Sequence, residues 1–81
     1  MPIYYDSGEE ILKGDRVLFH GAPGEIEFVV DGLTGDPAMD WYVEEFGGGV
    51  MVLEPKYFGA AFLAASDGKE DLIFVSRNMV Q

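Results

Sequence analysis

Glycine and proline interrupt this chain so often that no long helix fits between them. Eleven glycines and four prolines are spread over 81 residues. Turn signals fall at Gly14-Asp15, at Gly21-Ala22-Pro23-Gly24, across residues 31–40, at Gly47-Gly48-Gly49, at Pro55 and at Ser66-Asp67-Gly68-Lys69. Glycine reaches unusual backbone angles, proline fixes φ, and the short polar side chains stabilise a bend. What lies between them is short and apolar.

Five of these runs have strand length: residues 16–20, 25–30, 41–46, 50–54 and 72–76. In the second, Ile26, Phe28 and Val30 alternate with Glu25, Glu27 and Val29, a period of two that sends one set inward and leaves the glutamates in water. Residues 55–65 read two ways. Pro55 suits the first position of a helical turn, and the alanines at 60, 61, 64 and 65 favour a continued helix. Gly59 breaks that helix, so the preferred reading is a turn near residues 55–59 followed by a strand at 60–65. Asp67-Gly68 suits a hairpin turn that would pair this strand with the last one, and Gly21 to Gly24 would close the first hairpin. The three consecutive glycines predict a sharp bend or bulge.

Short strands at about ten-residue spacing predict an all-β domain, a small barrel or sandwich spanning residues 1–81. Barrel closure would remove exposed sheet edges. Residues 1–13 are expected to pack on or beside it.

Cysteine is absent, so neither a disulfide nor a thiolate metal site holds the fold. No run of about 18 apolar residues is present to span a bilayer. Met1 to Asp6 lack the basic and apolar regions of a secretory signal, and the expected location is cytoplasmic. Fifteen acids against five bases give a formal charge of −10, which opposes direct contact with nucleic acid or an anionic membrane. The excess is uneven. Residues 1–55 hold 12 acids and two bases, a net of −10, whereas residues 56–81 hold three of each.

Gly14-Asp15-Arg16-Val17-Leu18-Phe19-His20-Gly21-Ala22-Pro23-Gly24-Glu25-Ile26 resembles the opening hairpin of SH3-like small barrels of the KOW and Tudor type. The likeness runs from Gly14 to Val30. It implies a five-stranded, partly open barrel. Many KOW domains bind RNA or ribosomal partners through basic residues in this turn. Here the turn carries no base, and Glu25 and Glu27 follow it. A Tudor-type cage for methylated lysine would draw on Trp41, Tyr42, Tyr57 and Phe58.

No catalytic constellation emerges. Ser7, Ser66, Ser76 and Thr34 have no nucleophile-elbow context. His20, the only histidine, sits before a glycine turn and reads as a surface residue or a satisfied hydrogen-bonder. Glu44 and Glu45, read as strand neighbours, would face opposite ways. Glu25 and Glu27 would share a face without a cleft. Asp31, Asp36 and Asp40 read as turn-forming residues rather than calcium ligands, because their spacing is not that of an EF-hand. Residues 47–49 lack the lysine of a phosphate loop.

These observations predict a non-enzymatic, cofactor-free interaction protein of the immunity or inhibitor kind, a monomer or weak homodimer. Its partner would be a protein with a basic surface. The candidate contacts are Glu25, Glu27, Asp31, Asp40, Glu44 and Glu45, with Trp41 or Tyr42 as aromatic anchor. The rival expectation is an SH3-like peptide-binding or structural module.

Overall fold

A computed structural model describes residues 2–77. The chain runs β1 (Arg16–Phe19), β2 (Ala22–Val30), α1 (Pro37–Phe46), β3 (Gly49–Glu54), β4 (Gly59–Ala64) and β5 (Leu72–Ser76). The five strands form one antiparallel sheet in the order β4-β3-β2-β1-β5. The fold is therefore mostly β, as the strand spacing predicts. The strand after Gly59 also forms, with residues 55–58 as a turn before it.

Three local expectations are corrected. Residues 41–46 are not a strand, and the helix of the fold lies here rather than near 55–59. Aromatic and β-branched side chains favoured a strand, but capping groups at both ends of residues 37–46 select the helix. Second, β5 does not pair with β4 across residues 66–69. It crosses to β1, where Leu72, Ile73 and Phe74 meet Phe19, Leu18 and Val17. The intervening turn closes on itself instead. The buried Lys69 ammonium donates to the carbonyls of Ala64, Ala65 and Asp67 at 3.2, 3.3 and 2.6 Å. Third, the first hairpin turns at His20-Gly21, not at residues 21–24. Phe19 pairs with Ala22, and both turn residues have positive φ, 51° and 80°. That geometry matches the twist of the flanking strands. Gly24 then lies inside β2, where a Cβ would come 2.7 Å from the Leu53 carbonyl oxygen of β3.

The period-two pattern of β2 holds only in part. The register with β3 slips between Ile26 and Phe28, so Glu27 is an extra residue there. Ile26 stays in the core, Val29 joins it, and Phe28 turns to the face that carries α1.

The core gathers Ile3, Tyr5 and Ile11 from the N-terminal segment, Val17 and Phe19 from β1, Ile26 from β2, Val50 and Val52 from β3, and Leu72 from β5. Burial of each large apolar side chain contributes about 1.5–3 kcal/mol. The N-terminal segment is tied down by charge as well. Asp15, fully buried, accepts from Arg77 Nε at 2.8 Å and Nη2 at 3.0 Å, from the Tyr5 hydroxyl at 2.8 Å and from the Leu12 amide at 3.0 Å. Arg77 Nη2 also donates to the Glu10 carbonyl at 2.6 Å.

Candidate interaction surface

Helix α1 is specified by its ends. Asp36 has extended backbone angles, and its carboxylate accepts from the Ala38 amide at 3.0 Å. Pro37 follows, where its missing N–H costs nothing. The Asp40 carboxylate reaches back to the preceding loop. It accepts from the Thr34 amide at 2.7 Å, the Thr34 hydroxyl at 3.0 Å and the Gly35 amide at 3.1 Å. The Thr34 amide bond leads the effects that hold the Asp40 pKa below the usual aspartate value. Gly47 ends the helix at φ 75°, with its N–H on the Val43 carbonyl and that of Gly48 on Tyr42. This left-handed stop is the expected use of a glycine. The next two glycines serve close approach. A Cβ on Gly48 would meet the Val30 carbonyl oxygen at 2.5 Å, and one on Gly49 would collide with the Leu63 carbonyl and the Phe62 ring.

No α1 residue is fully buried. The helix rests on the sheet through aromatic rings. Tyr42 stacks on Phe62 of β4 at 4.6 Å between centroids and meets Phe28 of β2 at 5.5 Å. Phe46 meets Phe62 at 5.2 Å. Trp41 lies outside this layer, 5.1 Å from Tyr42 and 5.6 Å from Phe46, and remains 50% exposed. Phe46 is 44% exposed.

The predicted contact residues separate by role. Trp41, Tyr42, Glu44 and Glu45 share α1, with both glutamates exposed in its last turns. In a helix these adjacent glutamates lie about 100° apart rather than on opposite faces. Glu25 and Glu27 are exposed on β2, the strand that Tyr42 reaches through Phe28. Asp31 is exposed just after β2. Asp40 shares the helix, but its oxygens are committed to the loop. Asp36 and Asp40 thus act as turn-forming residues, as expected. Among the described residues no group of three or more metal-ligating side chains converges.

Trp41, Tyr42, Tyr57 and Phe58 do not form one cage, because their ring contacts fall into two groups. Phe58 sits with Phe19 and His20 at 5.3 and 5.1 Å, at the end of the sheet where the β1–β2 turn lies. Tyr57 is 68% exposed, with the Lys56 ammonium 5.2 Å from its ring centre. His20 is an exposed surface residue, its Nδ1 3.6 Å from Asp71. The Ser7 hydroxyl bonds Glu9, and that of Thr34 bonds Asp40.

Phe28, Phe46 and Phe62 complete the ring layer and were not among the residues singled out by sequence. The i, i+4 spacing of Tyr42 and Phe46 is the signal that points to Phe46, once residues 37–46 are read as helix.

From residue 17 to residue 55 the chain has eight acids and no lysine or arginine. This stretch supplies β2, α1 and β3. Among the described residues no helix is long and apolar enough to cross a membrane. The class that emerges is a small, mostly β protein presenting one acidic, aromatic helix on its sheet. Comparisons with protein-family models, curated proteins and solved structures find no match.

Proposed function

We propose that this is a non-enzymatic, cytoplasmic interaction protein that binds a basic surface on another protein through α1 and the neighbouring glutamates of β2. One observation carries the reading. Glu44 and Glu45 occupy the last turn of a helix that has no basic residue there. The partial negative charge of a helix C-terminus repels carboxylates, at a cost of about 0.3–1 kcal/mol each. Stability alone would favour lysine or arginine at these places. A cationic partner would reverse the penalty, and the exposed Trp41 and Phe46 beside the pair would give it an apolar anchor. An immunity- or inhibitor-like role, covering a basic active site, fits this chemistry.

The test compares baits. Wild type, E44K/E45K and W41A are used to recover partners from host lysate, and the proteins lost with both variants are identified and purified. Affinity is then measured by titration calorimetry, which reads wild type and both variants alike. Truncating a central aromatic anchor should cost at least about 2 kcal/mol, or about 30-fold. Equal binding by all three baits would remove this reading.

The second reading is an SH3-like peptide-binding module. It rests on the other aromatics, the exposed Phe58 beside His20 at one end of the sheet and the exposed Tyr57 next to it in the chain. An array of proline-rich and methyl-lysine peptides tests it. Hits that are lost on Tyr57→Ala and kept on Trp41→Ala would favour it over the first.

A further inference from the structure

The two edges of the sheet differ in a way that points to an added strand. Edge strands expose unpaired N–H and C=O groups, and proteins usually blunt them with charge, proline or a bulge. β5 is blunted. Its register with β1 slips between Phe74 and Ser76, and Asp71 and Arg77 flank it. β4 has none of these devices. Its six residues pair with β3 without a register shift, and residues 59–65 contain no charged side chain and no proline.

The open groups on β4 can be named. The Ala65 amide bonds the Gly48 carbonyl. Hydrogen-bonded pairs alternate along an antiparallel ladder. Leu63, Ala61 and Gly59 therefore face β3, and the N–H and C=O of Ala60, Phe62 and Ala64 point outward. Ala64 is already occupied, its amide by the Asp67 carboxylate and its carbonyl by the Asp67 amide and Lys69. Ala60 and Phe62 remain. The Phe62 ring touches Tyr42 and Phe46, so the open edge lies directly beside the acidic helix.

We propose that β4 accepts an extended segment of the partner as an additional antiparallel strand, paired to Ala60 and Phe62, with the segment's lysine or arginine side chains facing Glu44 and Glu45. This rests on the reading of α1 given above and names the form its partner takes. Main-chain bonds supply affinity in this mode, and alternate side chains supply specificity. A strand of period two places every second residue on the α1 side. A second copy of this chain suits the edge poorly. Antiparallel pairing would bring its own acidic α1 to the same face of the joined sheet, and like charges would repel.

Proline at position 60 removes the outward N–H without removing a bond to β3. A60P should therefore keep the circular-dichroism spectrum of the native sheet and weaken partner binding about tenfold or more. Wild-type affinity in A60P with loss in E44K/E45K would overturn the added strand and leave the acidic-surface reading intact. Full binding by both variants would overturn both. Amide exchange in the wild-type protein gives a check that needs no variant. The amides of Ala61 and Leu63 should exchange slowly and those of Ala60 and Phe62 fast. A peptide of about eight residues alternating valine and lysine should then slow the latter two. A valine–glutamate peptide should leave them fast. Slow exchange at both sites without peptide, rising with protein concentration, would assign the edge to self-association and overturn the proposal. Fast exchange at both sites with saturating valine–lysine peptide would overturn it too.

Discussion

Single buried charges govern much of this small fold. Asp15 receives four hydrogen bonds, two of them from Arg77, 62 residues away. Burial works to raise its pKa, but Arg77, Leu12 and Tyr5 outweigh burial and hold it below the ordinary aspartate value. The Tyr5 hydroxyl is pushed far above the usual tyrosine range by burial and by its bond to Asp15. Asp15→Asn should cost about 3 kcal/mol by urea denaturation, because it removes a charged acceptor from several donors at once. Glu54 plays the same part in the β3–β4 turn. Its buried carboxylate accepts from the amides of Lys56, Tyr57 and Phe58 at 2.6, 2.9 and 3.0 Å. Burial opposes its ionisation, yet these donors lower its pKa. Both folded values are depressed, so the stability from Asp15 and Glu54 is complete above the unfolded carboxyl range, about pH 4 to 4.5. It is lost as pH falls through the lower folded values. E54Q should thus be less stable than wild type at neutral pH, and the gap between the two urea midpoints should narrow as pH falls below the unfolded glutamate range, about 4.3. None of this was legible in sequence. Gly14-Asp15 read as a turn signal, Arg77 as one of three balancing bases, and Lys69 as a turn residue. Partners distant along the chain leave no local pattern.

At the scale of elements, the strands were legible wherever local preference and tertiary need agreed. The apolar runs at 16–20, 50–54 and 72–76 coincide with β1, β3 and β5 to within a residue or two. Gly59 marked the start of β4 because it adopts φ 71° there. Residues 41–46 misled because Trp41, Tyr42 and Val43 favour strands. The helix signal was present, though at its borders. Asp36 and Pro37 start it, and Gly47 stops it. The glycine series separates two physical effects. Gly47→Ala places a side chain in the left-handed region with open space around it, and should cost about 1 kcal/mol. Gly49→Ala forces a Cβ onto the Leu63 carbonyl and should cost more than Gly47→Ala. Equal unfolding midpoints for the two variants would contradict this close approach of β3 and β4 at Gly49. The pairing of β5 with β1 was not legible, because Asp67-Gly68 gave a strong local hairpin signal. The tertiary alternative, a ladder on Val17, Leu18 and Phe19 with Lys69 closing the turn, overrode it.

Across the whole molecule, charge and shape divide the surface. The acidic excess of the first 55 residues includes groups that hold the fold, namely Asp15, Asp36, Asp40 and Glu54. Removing these four from the twelve leaves eight, of which Glu25, Glu27, Glu44 and Glu45 are the exposed carboxylates carried by β2 and α1. Their placement was legible as charge, and the helix that carries Glu44 and Glu45 was not. The central claim is that this grouping binds a basic protein surface. Charge of this kind acts through steering and is screened by salt. The most direct measurement is the affinity of the recovered partner, read from Trp41 emission, for wild type and E44K/E45K between about 50 and 200 mM salt. The predicted result is a wild-type affinity that falls with salt, and a weaker, flatter dependence in E44K/E45K. Affinity that is independent of salt and unchanged by the two charge reversals would contradict it.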